Sequence, residues 1–358
     1  MKLNKLLVMA LAGSLFFASC TNDDDATDTP KGVYDNGVFV LNQGGFGHGD
    51  AKVSFISDAF VLENNIFETN NPSQVLGDTG QDMAFNGDLA YIVLNYSNKI
   101  EVVNRYTFAH VTSIESGLSN PRYIAFADGK GYITNWGAGN SATDDYVAVL
   151  NVATNAITKM IPVAEGPERI IENKGKLYVS HYGGFSYGHT VSVINAETNA
   201  LQTTINVGDA PRTMAVKDNR LYVLNEGLPS WSGAETSGSL SVINLTSNTV
   251  TGTIAFDSVQ HPSNLVVNED KVYYTSNSDI GSFTIANTDL PAPPHAIFST
   301  TDQGVYGVYS FAIKDGHVYV GDAGDYASNG KVYIYSLTGA LQNTFTVGII
   351  PAGFYFND

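Results

Sequence analysis

Six times along the chain an apolar strand, a polar turn and a second strand carrying a tyrosine follow one another at similar spacing. A repeat of this kind constrains the fold more than any other property of the sequence. The copies run from Met83-Ala84-Phe85 to Tyr91, Ile124-Ala125-Phe126 to Tyr132, Ile170-Ile171 to Tyr178, Met214-Ala215-Val216 to Tyr222, Leu265-Val266-Val267 to Tyr273 and Phe311-Ala312-Ile313 to Tyr319. Turns such as Asn86-Gly87-Asp88 and Lys314-Asp315-Gly316 join the two strands as hairpins. A third strand follows, as in Val147 to Leu150 or Val191 to Ile194, then a short turn such as Thr154-Asn155, Thr198-Asn199 or Ser247-Asn248. A fourth strand ends at a proline corner: Gly166-Pro167, Gly208 to Pro211 or, without glycine, His261-Pro262. Four short strands in a repeat of roughly 43 to 51 residues leave no room for a useful helix and match one blade of a β-propeller.

The two ends supply the seventh copy. Pro351 to Phe356 reads as a first strand with nothing after it, and Gly37 to Leu41 as a second strand with nothing before it. The sequence therefore predicts an all-β chain: a seven-bladed β-propeller over residues 37–358, with four antiparallel strands per blade. The ring closes by pairing the C-terminal strand with the N-terminal blade, which hides both sheet edges.

Ahead of the repeats, Met1, Lys2 and Lys5 precede an apolar run from Leu6 to Phe17, a length that suits an export signal and is too short for a permanent span. Phe17-Ala18-Ser19-Cys20 places small residues before the only cysteine. Residues 1–19 read as a lipoprotein signal peptide and Cys20 as the site of lipid attachment, which leaves no cysteine for a disulfide or zinc cluster. Residues 20–36 contain the acidic cluster Asp23-Asp24-Asp25 and little apolar matter, and read as a disordered tether. Without Lys2 and Lys5 the net charge moves from −17 to −19, a field that repels phosphate backbones and argues against a nucleic-acid partner.

In a four-stranded blade, the connection from second to third strand shares a face with the entry to the first strand. Those connections are long here and rich in rings among Gly, Ser and Asn. They carry Phe46 and His48, Tyr96, Trp136, Tyr182, Phe185 and Tyr187, Trp231, and Tyr326. Exposed rings with polar flanks suit a recognition surface, although about half of such rings are expected to pack on one another instead. Where second strands end stand Asn42, Asn135, His181, Asn225, Ser276 and Asp322, which the repeat geometry predicts around the channel mouth or as caps on neighbouring blades. Three entry corners carry Arg122, Arg169 and Arg212, suited to an anionic group or a row of carbonyls, or to ion pairs with Asp82, Glu165, Glu168 or Asp209. No nucleophile elbow, metal-binding histidine motif or phosphate loop is present, so a binding protein is expected rather than an enzyme, with no metal and no cofactor.

Gly131-Tyr132-Ile133-Thr134-Asn135, Val147 to Asn151 and Ala153-Thr154-Asn155 resemble the YVTN-type repeat of YncE-like propellers, a likeness covering nearly all of 37–358. Together with the lipobox and the acidic cluster behind Cys20, which resembles a surface-export signal of Bacteroidota, the chain is similar to the BtuG lipoproteins. That resemblance implies an outer-membrane, cell-surface protein that binds cobalamin or another corrinoid on one propeller face and passes it to a TonB-dependent transporter of the BtuB type. A surface glycan or a partner protein is the alternative ligand, and a lyase- or lactonase-like activity a further one.

Overall fold

Each blade begins from local chemistry. In the turn between third and fourth strands, the Asn195 side-chain oxygen accepts the Thr198 backbone N–H at 2.7 Å, and Asn151 and Asn244 do the same for their turns. One residue on, Asn155, Asn199 and Asn248 adopt φ of 52°, 51° and 54°, left-handed values that asparagine tolerates better than most residues. The second and third strands, such as Lys176–His181 and Thr190–Asn195, are buried on both faces, which is why they read as continuous apolar runs. The outer strand Ala200–Asn206 is exposed at all but one position and is polar accordingly.

The computed structural model describes residues 31–138, 141–256, 258–285 and 294–358. It forms seven four-stranded antiparallel sheets arranged as a seven-bladed β-propeller. We number the blades I to VII from the N-terminus. Blade I combines both ends: Pro351–Asn357 is its innermost strand, paired antiparallel with Gly37–Asn42. Its outer strand is only Leu62–Glu63, and a five-residue helix, Ile66–Asn70, covers the blade by burying Ile66 and Phe67.

Large residues from the second strands fill the spaces between blades. Phe39, Tyr91, Tyr132, Tyr178 and Tyr222 are fully buried. Two of these tyrosines also fasten blade to blade. The Tyr132 hydroxyl donates to the Ala196 carbonyl at 2.8 Å, and that of Tyr178 reaches Asn248 Oδ1 at 3.0 Å.

The folded unit starts earlier than the sequence suggests. Gly32 belongs to it, and Tyr34 is buried with its ring against Phe39, Phe55 and Phe108. Its hydroxyl donates to Glu63 Oε1 at 2.8 Å. Residues 32–36, expected from sequence to belong to a tether, are thus part of the folded unit, because a single tyrosine in a polar stretch finds an aromatic pocket. The signal peptide, Cys20 and the acidic cluster lie outside the described residues.

Candidate functional site

The innermost strands share a device that builds the site. In six blades the pairing with the second strand slips just after the entry corner, between Gly80 and Asp82, Pro121 and Ile124, Pro167 and Ile170, Pro211 and Thr213, Val308 and Ser310, and Leu41 and Asn42 of the closing pair. Such an irregularity re-aims side chains from the sheet. The re-aimed residues meet in a cavity of about 360 Å3 to which all seven innermost strands or their entry corners contribute. Gln81, Arg122, Tyr123, Glu168, Arg169, Arg212, Thr213, Asn264, Tyr309 and Ala352 make its floor and walls.

Second-to-third connections make the rim, on the face the sequence assigns to them. Phe46, Tyr96, Trp136 and Phe185 line it, and their rings pair across blade boundaries. Phe46 of blade I meets Tyr96 of blade II at 4.4 Å between centroids, and Trp136 of blade III meets Phe185 of blade IV edge-on at 6.1 Å. Phe185 nonetheless remains 83% exposed and Phe46 67% exposed. Gly166, at φ 60°, lets the Phe185 loop come close: a Cβ there would lie 1.9 Å from the Gly184 nitrogen. The Tyr182 N–H donates to the Gly166 carbonyl at 2.9 Å and ties the loop down.

The three arginines have different surroundings. Arg122 grips Glu168 with two bonds, Nε to Oε2 at 2.9 Å and Nη2 to Oε1 at 2.8 Å, and lies 4.2 Å from the Trp136 ring centre. Arg212 donates to Glu226 Oε2 at 3.0 Å and stands 5.6 Å from the Tyr182 ring. Glu226 was not among the partners considered from sequence, because it sits on a neighbouring loop rather than at a corner. Arg169 stacks on Tyr123 at 4.0 Å and has no hydrogen-bonding acceptor among the described residues. The carboxylate nearest to it in effect is Asp82, whose burial pushes its pKa up to about 6 against the pull of Arg169, the Ile124 N–H and the Tyr355 hydroxyl.

Of the residues read from sequence as a binding face, Phe46, Tyr96, Arg122, Trp136, Arg169, Phe185 and Arg212 come together in this cavity. Tyr182 and Tyr326 stand behind it, against Arg212 and Tyr309. Trp231, 84% exposed on the turn Ser230–Ser232, and Tyr187 and His48 in their loops do not line it.

The ring of polar strand ends is corrected: Asn42, Asn135, His181, Asn225, Ser276 and Asp322 are buried within the blades and do not surround the channel mouth. Asn42 donates to Ser54 Oγ at 3.0 Å, Asn225 to Ser241 Oγ at 3.0 Å, and Asn135 to the Ile133 carbonyl at 2.9 Å. A second strand lies one layer out from the channel, so its end cannot reach the mouth. His181 sits 2.8 Å from Ser192 Oγ, and burial lowers its pKa to about 4, so it is neutral at physiological pH. Among the described residues no cluster of three His, Cys, Asp or Glu could hold a metal.

Sequence reasoning missed Gln81, Tyr123, Thr213, Asn264 and Tyr309. Their signal was present, since each stands one or two residues beyond the corner in its repeat, but only the arginines at those positions were singled out.

Comparison with solved structures shows the same fold at low identity. A functionally unknown protein from Desulfotomaculum acetoxidans matches 90% of this chain and 98% of its own at 14% identity, with a TM-score of 0.65. A quinonprotein alcohol dehydrogenase-like protein from Bacteroides thetaiotaomicron matches 91% of this chain and 79% of its own at 14% identity, with a TM-score of 0.66. BamB from Moraxella catarrhalis matches 89% and 85% at 16% identity, with a TM-score of 0.52. No curated protein matches the chain. The model of the family described as "Domain of unknown function (DUF5074)" matches residues 36–228, more than half of the sequence, which takes in blade I without its innermost strand, blades II to IV and the two inner strands of blade V. The chain belongs to that family.

Proposed function

We propose that this propeller captures a ligand at the open mouth of its channel without transforming it. The ligand we propose is cobalamin or another corrinoid, held for a TonB-dependent outer-membrane transporter by a protein lipid-anchored at Cys20 on the cell surface. The observation that carries the reading is a rim of paired rings around a polar floor, three exposed and Trp136 half-buried: Phe46 with Tyr96 and Trp136 with Phe185 above Arg169, Gln81 and Asn264. Rings rarely stay exposed in such a group unless a partner covers them. A broad, flat ligand fringed with amides suits that arrangement, its plate against the rings and its amides toward Gln, Asn and Arg.

The cavity, at about 360 Å3, lies toward the small end of ligand pockets, which run from about 300 to 1,000 Å3. A corrinoid therefore rests across the rim and lowers one side arm into the floor. Binding rather than catalysis is favoured because the ionisable groups at hand are held by one another. Glu168 is clamped by Arg122 and Glu226 by Arg212, so neither is poised beside a nucleophile.

Titrating the purified protein with cyanocobalamin tests the proposal. A micromolar or tighter heat signal supports it. No heat and no mobility shift at micromolar concentration sinks the corrinoid reading and moves the search to surface glycans and partner proteins.

A further inference from the structure

We infer that the waist of the channel is a subsite for a single anionic group, a carboxylate or a phosphate, bound by Arg169 with the Thr213 hydroxyl. The inference deepens the reading of the mouth as a ligand site, and it does not depend on that ligand being a corrinoid.

Arg169 and Thr213 line two cavities at once. Above them is the polar, aromatic-rimmed mouth, and below is a second cavity of about 300 Å3 walled largely by apolar residues such as Met214, Leu265, Phe311 and Phe354. Asn264 and Ala352, the latter on blade I and three blades around the ring from Arg169, also border both.

The carboxylates that act on the charge of Arg169 make their hydrogen bonds to other groups. Both oxygens of Glu168 are bonded to Arg122. Asp82 Oδ2 accepts the Ile124 N–H at 3.0 Å and Oδ1 accepts the Tyr355 hydroxyl at 3.1 Å. Arg169 keeps a ring contact with Tyr123 and no acceptor among the described residues. The charge of Arg169 is answered by Asp82 and Glu168 without a hydrogen bond, so its N–H donors stay open to an arriving anion that can supply charge-assisted bonds.

Thr213 is an independent second sign. It is 8% exposed, its Oγ1 has no hydrogen-bond partner, and it faces the same two cavities. A buried hydroxyl without a partner calls for explanation, and an anion at the waist would accept its proton.

Calorimetry on the purified full chain tests this with phenyl phosphate, benzoate and the uncharged benzamide. At least one anion should bind, the other competing or not according to whether the subsite suits phosphate or carboxylate, and benzamide should bind at least tenfold more weakly. Arg169→Gln should abolish that preference, a loss of roughly ten- to a hundredfold for a charged hydrogen-bonding partner, with a smaller loss of Tm than Arg122→Gln, because the stacking on Tyr123 and the pull on Asp82 go but no internal hydrogen bond is broken. Thr213→Val should weaken the anions severalfold and leave benzamide unchanged. Equal binding of benzamide and benzoate, an unaltered preference in Arg169→Gln, or a Tm loss in that variant comparable to that of Arg122→Gln would overturn the inference. Anion binding without cyanocobalamin binding sinks the corrinoid proposal alone, and cyanocobalamin binding without anion preference sinks this one alone.

Discussion

Trp136 is held on two sides, by the guanidinium of Arg122 at 4.2 Å and by a bond from its indole nitrogen to the Pro167 carbonyl at 3.1 Å, whereas Phe185 beside it is 83% exposed. Ligand contact and structural support are thus unequally shared by two neighbouring rings. Phe185→Ala should leave Tm within about a degree while weakening ligand binding by tenfold or more, the loss expected of an interface anchor. Trp136→Ala should lower both, because it also frees a backbone acceptor and uncovers Arg122. Thermal melts beside titrations separate the two. From sequence both rings looked alike, since what distinguishes them is a guanidinium from the preceding corner and a carbonyl from the next blade. Asp82 makes a prediction of another kind. Burial raises its pKa from 3.8 to about 6, so the folded state binds its proton more tightly than the unfolded chain does. The sign follows: the contribution is complete below the unfolded value, is lost as pH rises through about 6, and amounts to at most roughly 3 kcal/mol. Between pH 7 and pH 4.5, Tm of the native protein relative to Asp82→Asn should rise as pH falls, and a flat difference would deny the shift.

At the scale of the element, the asparagine turns were readable because their chemistry is local. Asn195 and Asn199 form their turn by local bonds, and the preceding blade then fastens it: the Tyr132 hydroxyl shares its proton between the Ala196 carbonyl at 2.8 Å and Asn199 Oδ1 at 2.7 Å, and Lys159 Nζ donates to the Asn199 carbonyl at 2.7 Å. Asn155 has the same left-handed backbone, yet its buried Oδ1 has no partner. Asn199→Gly should therefore cost about 1 kcal/mol or more through the lost bond, while Asn155→Gly should be nearly neutral. Urea unfolding of the two variants measures the difference. The slipped pairing at the entry corners was not readable, because Pro121, Pro167 and Pro211 announce a corner without saying where the ladder resumes. The six polar strand ends were misplaced for another reason, since the second strands that carry them lie one layer out from the channel. A repeat fixes which residues are equivalent, and the depth of the equivalent layer comes only from packing.

For the whole molecule, closure was legible from two orphan strands, and the structure adds how it is held. Arg105 donates from Nε to Asn357 Oδ1 and from Nη2 to the Asp358 carbonyl at 2.9 Å, while the Asn357 amide donates to the Tyr34 carbonyl at 2.5 Å. Lys314 of blade VII pairs with Asp358 as well. Deleting residues 351–358 removes an innermost strand, strips the cover from Val38 and Val40 and exposes an unpaired edge at Gly37–Asn42. That protein should aggregate or lose its cooperative melt, whereas Arg105→Gln should keep the ring and melt a few degrees lower, as loss of a charge-assisted pair implies. The early docking of Tyr34 was hidden by its polar neighbours, since its partners Phe55 and Phe108 stand on the third strand of blade I and in a turn of blade II, and only the packing of those two blades brings them together.

The slip at each corner separates two tasks that most sheets perform with the same side chains. Residues before and after it keep the ladder within the blade, while the one or two letters inside it leave the ladder and face the axis. There Arg122 bonds Glu168 and Gln81 bonds Tyr123 across blade boundaries, so these letters should change as a set rather than singly, and under the proposed function chains with interchangeable scaffolds would differ in ligand by only a handful of letters. Within a family defined by its blades, those letters are where kinship should stop foretelling what is carried.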